Sequence, residues 1–235
     1  MMLQQQRQQQ QPLRRNLCLH LLALGHLGYA TYYDYKYAQL PLLAVELRLE
    51  PTMGYKFNYL TFLNGLLQSS YYLLAVACDL LPARALSRWR DFLLASLVVP
   101  LALTVSITFW LLYALPSYVI YPQLLQQIYP RWLNHSLHSF VVLYALLELC
   151  LTPHRYPRRR EGFMCLGLSL AGYLLWLHVV HHHTHIWAYP FLHAFSTPLL
   201  YCFFAFIVGA AFGYYALGEL LSAAAWPTDE LADWK

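Results

Sequence analysis

The chain has 235 residues, of which 59% are hydrophobic and 11% charged, with a formal net charge of +4 and a mean hydropathy of +0.40. A water-soluble domain carries about 25% charged residues, so this chain lacks the polar surface to cover its apolar mass in water and reads as a membrane protein. Its Lys and Arg are scattered over short segments, which excludes a nucleic-acid footprint, and five cysteines without a CxxC pair exclude a disulfide framework and a thiolate zinc site.

In chain order, a glutamine-rich tract over 1–16 cannot bury a core and is expected to be a disordered tail. The apolar run over 17–33 is long for a signal-peptide core and no small-residue cleavage site follows it, so a retained first span is expected. Further apolar stretches occupy 57–81, 92–115, 132–151, 162–181 and 197–223. Each is long enough, at about 1.5 Å per residue, for a hydrocarbon core of ~30 Å. Lipid offers no partners to backbone groups, so the expected fold is all-α. Six transmembrane helices would form one polytopic bundle over 17–223, followed by a cytoplasmic tail over 224–235. Alternate connecting segments, counted from the N-terminal tail, hold eleven Lys and Arg against four in the others, which places both termini in the cytoplasm. Tyr and Trp at the ends of the runs, such as Tyr32, Tyr33, Trp132 and Trp187, read as interfacial anchors.

Polar side chains inside apolar runs are where chemistry is sought, with helix–helix hydrogen bonding as the plain alternative. On the second span Thr61, Asn64 and Gln68 share one face at helical spacing. On the fourth, WLNHSLH makes Asn134 and His138 partners one turn apart. In the expected topology both spans start on the luminal side, and Thr61 and His138 lie at matching depth. An imidazole at hydrogen-bonding distance is the group that turns a threonine hydroxyl into a nucleophile, with Asn134 available to orient the ring or to donate to an oxyanion. A third cluster, His178, His181, His182 and His185, spells HxxHH, as in membrane di-iron oxidases. Such enzymes need more histidine boxes than this chain supplies, so a solvated luminal turn is the favoured reading and no metal or other cofactor is expected.

KFNYLTFLNGLLQ, IYPQLL, WLNHSLH with Glu148 downstream, HRYP, WAYPFL and LGELL occur in that order over 56–221. This ordered set resembles the androgen-induced protein / androgen-dependent TFPI-regulating protein family. The resemblance implies a six-helix membrane hydrolase that cleaves fatty acid esters of hydroxy fatty acids with an intramembrane threonine and histidine, matching Thr61 and His138. It also implies departures: Asn64 stands where the family pattern has Asp, and His185 and His193 where it has Gly and Glu. The implied mechanism is attack by Thr61 with His138 as base, through an acyl-threonine that water hydrolyses. Lys56 and Arg131, about 7 to 11 Å above the pair at 1.5 Å per residue, are the expected anchors for the free carboxylate of such a lipid. The implied partner is a lipid substrate drawn from the bilayer, in an endoplasmic reticulum or plasma membrane setting, and no protein partner is indicated. A non-catalytic transporter or lipid-binding scaffold, and a histidine-box metal oxidase, are the competing readings.

Overall fold

The computed structural model describes residues 2–38, 51–81, 83–114 and 129–226, with side chains from residue 16 onward. Among the described residues there are helices and no strand. Six are long: α1 (Met2–Lys36), α2 (Leu60–Leu80), α3 (Arg84–Tyr113), α4 (Arg131–Leu151), α5 (Arg159–Thr184) and α6 (Thr197–Ala225). Short 3-10 turns at Tyr55–Asn58 and Pro190–Ala194 precede α2 and α6. The helices α3, α4, α5 and α6 are long and apolar enough to cross a membrane. At 35 and 21 residues α1 and α2 have the length, but their Gln, His, Asn and Tyr content keeps them below the apolarity of the other four. The chain is an integral membrane protein with four spans assigned on length and composition.

The helix α1 starts at Met2 and includes the glutamine-rich tract over 1–16 from that residue on. Gln, Leu and Arg are good helix formers, and a helix satisfies its own backbone without a core to bury. The cytoplasmic tail expected over 224–235 lies outside the described residues from 227 onward, as does the IYPQLL motif at 120–125.

The helix α3 is the centre of the bundle. Its spanning window is 67% buried against 22% for α5 and for α6, as suits a helix that is apolar on all sides. One layer of the core packs Ala23 and Leu27 of α1 and Tyr71 and Ala75 of α2 with Val98 of α3 and Val141 of α4. A second joins Leu166 and Leu170 of α5 and Ala211 and Tyr215 of α6 to Ala95 and Leu101 of α3. Close approach depends on small residues. A Cβ on Gly65 would sit 2.6 Å from Thr31 Oγ1, and one on Gly218 would sit 2.9 Å from Val99 Cγ1.

Two hydrogen bonds fix how α2 and α4 run. Thr61 bonds His138 and Tyr71 bonds Glu148, both at a sequence offset of 77. Equal offsets at both ends mean that the two helices run in the same direction and match in level at these two bonds. Each of α3 and α4 also contains one π turn, at Leu94–Val98 and at Ser136–Phe140.

Candidate active site

The pair expected from sequence is formed. Thr61 stands in the first turn of α2, and its hydroxyl faces His138 Nε2 at 3.3 Å. His138 is buried and Thr61 is half-buried. The ring is oriented from the preceding turn of its own helix, since Nδ1–H donates to the Asn134 carbonyl at 2.9 Å. That bond leaves a lone pair on Nε2, which is the tautomer a base needs to accept the threonine proton. Asn134 therefore orients the ring, as expected, but through its main chain; its side-chain Oδ1 is buried with no hydrogen-bond partner among the described residues.

The π turn explains why His138 is so firmly held. A π turn widens the helix by one residue and leaves a carbonyl outside the regular ladder. Here the His138 carbonyl accepts a hydrogen bond from Ser106 Oγ of α3. The ring face is covered by Phe109, also from α3, stacked at a centroid distance of 3.5 Å and an interplanar angle of 12°. Position, carbonyl and ring plane of His138 are thus fixed by three different groups. Ser106 and Phe109 carried no signal in the sequence, being one hydroxyl and one aromatic in an apolar run.

The start of α2 is also pinned. The Leu60 N–H donates to both Tyr173 OH and Tyr189 OH, at 3.1 and 3.0 Å, and Tyr173 O–H donates to the Asn58 carbonyl at 2.9 Å. These tyrosines reach from α5 and from the segment after it, and they take the place of the side-chain cap that Tyr59 does not provide. Burial pushes the Tyr189 hydroxyl above its ordinary value, which keeps it neutral. Tyr189 reads as an interfacial anchor from sequence, so its capping role was not visible there.

Lys56 does not have the role expected of it. It is buried, and its ammonium donates to Asp34 Oδ1 at 2.9 Å, to the Ala38 carbonyl at 2.7 Å and to Tyr129 OH at 2.7 Å. An ammonium has three donors, so none is left for a substrate carboxylate. The sequence shows a lysine near a threonine but not that Asp34, at the end of α1, folds back to meet it. Arg131 is exposed at the first position of α4. Asn64 is buried one turn below Thr61, and neither of its side-chain polar atoms has a partner among the described residues.

At the opposite end of α2 and α4 lies a buried ionic centre that sequence reasoning passed over. Glu148 Oε2 accepts from His20 Nε2 at 2.7 Å and Oε1 accepts from Tyr71 OH at 2.9 Å, with His154 Nε2 at 3.2 Å. His20 Nδ1 in turn meets Asp79 Oδ2 at 2.6 Å, and His154 Nδ1 meets Asp91 Oδ1 at 2.9 Å, beside Arg90. Carboxylates inside apolar runs are signal enough to have found it.

The histidine-rich turn does not form the box that HxxHH suggests. His185 caps α5 in the left-handed region at φ 57, a position that favours glycine, and so leaves the helical face of the others. His181 stacks on Trp187 at 4.0 Å, and His178 Nδ1 donates to the Leu174 carbonyl. Among the described residues no three His, Cys, Asp or Glu side chains converge on a common point as a metal requires.

A family model described as FAR-17a/AIG1-like protein matches residues 15–223, a range that contains both Thr61 and His138. The chain is 32% identical over 201 residues to the androgen-induced gene 1 protein of Homo sapiens, covering 80% of this chain and 84% of that protein. It is also 32% identical over 183 residues to the androgen-dependent TFPI-regulating protein of Homo sapiens, with 74% and 78% covered, and 30% identical to that of Mus musculus. No solved structure matches.

Proposed function

The chain belongs to the FAR-17a/AIG1-like family, and from that premise we propose that it is an intramembrane threonine hydrolase acting on fatty acid esters of hydroxy fatty acids. The reading includes six spans, with α1 and α2 joining the four apolar ones, both termini in the cytoplasm, and residence in the endoplasmic reticulum or plasma membrane. The observation that carries it is the Thr61–His138 hydrogen bond, made in the tautomer that permits proton transfer.

In this mechanism His138 Nε2 takes the Thr61 hydroxyl proton as Oγ1 attacks the ester carbonyl. The negative charge develops at the N-terminus of α2, where first-turn N–H groups such as those of Thr61 and Phe62 point away from the helix. Collapse expels the hydroxy fatty acid, whose alkoxide takes the proton from Nε2, and leaves an acyl-threonine. Water then attacks, giving its proton to His138, and Thr61 regains its hydrogen as the fatty acid leaves. Arg131, exposed about 10 Å above His138 at 1.5 Å per residue, is the cation left to meet the free carboxylate of the lipid.

The test is turnover of such an ester in membranes by wild type, Thr61→Ala and His138→Ala at matched expression. Each variant is expected to lose at least about a hundredfold in kcat, the scale of removing a general base or its nucleophile. Activity retained in either variant returns the pair to helix packing and favours a transporter or scaffold.

A further inference from the structure

Below Thr61 the interior face of α2 continues through Asn64 and Gln68 to Tyr71, a span of about 15 Å at 1.5 Å per residue. Asn64 is 1% exposed and Gln68 0%, and the amide oxygen and nitrogen of both lack a hydrogen-bond partner among the described residues. Thr31 Oγ1 of α1, beside Gly65, is likewise buried and unpartnered. Five unpartnered polar atoms therefore lie buried at levels between the threonine and the Glu148 centre. Buried polar groups in native proteins are paired, with protein or with ordered water.

On the esterase reading above, we infer that this stretch of α2 binds a file of water that supplies the second half of the reaction. Once the hydroxy fatty acid has left, the acyl chain that remains on Thr61 occupies the lipid-facing approach to the acyl-threonine. Deacylation still needs one water at the acyl carbonyl. Its oxygen forms the new C–O bond, its proton goes to His138 Nε2, and the Thr61 C–O bond breaks with return of that proton to Oγ1. The face below Thr61 brings water to the carbonyl from the side the substrate leaves open. At its far end the face reaches Tyr71, from which directly bonded side chains run through Glu148 and His20 to Asp79, whose side chain is 10% exposed. Water is the ligand that fits: it both donates and accepts, as two neutral amides and a hydroxyl without partners require.

The experiment compares purified full-length wild type, Asn64→Leu and Gln68→Leu on a p-nitrophenyl fatty ester, with Gln68→Asn as the polar control. Leucine keeps the volume and removes the amide. The expected result is an undiminished burst of about one p-nitrophenol per enzyme, a steady-state rate lowered at least about tenfold, and an acyl adduct on Thr61 in intact mass, with Gln68→Asn near wild type. A steady-state rate within about twofold of wild type in both leucine variants overturns the inference, as does a parallel fall of burst and steady state. Radiolytic hydroxyl footprinting of the wild type decides the matter if the leucine variants do not fold. Buried Tyr71 and Tyr72 are expected to be oxidised by water held beside them, and their protection overturns the file. A wild type with no burst and no Thr61 adduct overturns the esterase reading itself, and the deacylation role with it, before any variant is compared.

Discussion

At the scale of single residues, the chemistry depends on how little His138 can move. Its Nδ1 is held by its own helix, its carbonyl by Ser106 and its ring plane by Phe109. Aromatic stacking of this kind is worth about 0.5–1.5 kcal/mol beyond burial, and a loss near the upper end corresponds to about tenfold in rate. Phe109→Leu, which keeps an apolar side chain and removes the stack, is therefore expected to lower kcat up to about tenfold with little change in KM; an unchanged kcat would show that the stack is incidental. Thr61 and His138 were legible in the sequence because helical periodicity and matching depth are properties of one segment at a time. The engagement of Lys56 was not, because Asp34 and Tyr129, its partners, come from two other parts of the chain. A residue's own position can be read from its neighbours in sequence, whereas whether its hydrogen bonds are already made depends on neighbours in space.

At the scale of elements, the π turn at Ser136–Phe140 carries His138 to the position where it meets Thr61. It turns the His138 carbonyl outward to Ser106 and sets the ring opposite α2. Deleting Ser139 should close the turn to a regular α-helix, leave Val141–Leu151 in register with α2, and swing His138 away from Thr61. The expected outcome is membrane insertion as in wild type with activity reduced by about a hundredfold, the cost of a misplacement on the order of 1 Å; full activity in the deletion would show that the turn is dispensable. The long apolar runs gave away α3 to α6 because composition alone marks them, and α1 and α2 were found through the same runs despite their polar residues. A π turn has no such mark: SLHSF reads as ordinary helix, and its widening is imposed by packing against α3.

At the scale of the whole molecule, the Glu148 centre ties together what the apolar core only brings close. Through His20, Tyr71 and Asp79, and through His154, Asp91 and Arg90, it joins α1, α2, α3, α4 and the segment after α4. Both nitrogens of His20 face carboxylate oxygens, one of Asp79 and one of Glu148. Removing one member of a buried charge cluster leaves the others uncompensated and costs about 3–5 kcal/mol. Glu148→Ala is expected to lower the Tm in detergent by about 10 °C, whereas Thr61→Ala should leave it nearly unchanged; equal Tm values would show the centre to be neutral to stability. The sequence placed Glu148 only as a landmark of resemblance, because a carboxylate in an apolar run announces that it has partners and not which they are. Together with the Thr61–His138 bond, this centre clamps α2 and α4 at two levels about 15 Å apart at 1.5 Å per residue. A bilayer that thickens or thins normally lets neighbouring helices slide or tilt independently to match it. Here sliding one helix along the other would break Tyr71–Glu148 in the same motion that separated Thr61 from His138, so the pair tilts as a unit. The distance between Thr61 and His138 is thereby insulated from the thickness of the membrane around it.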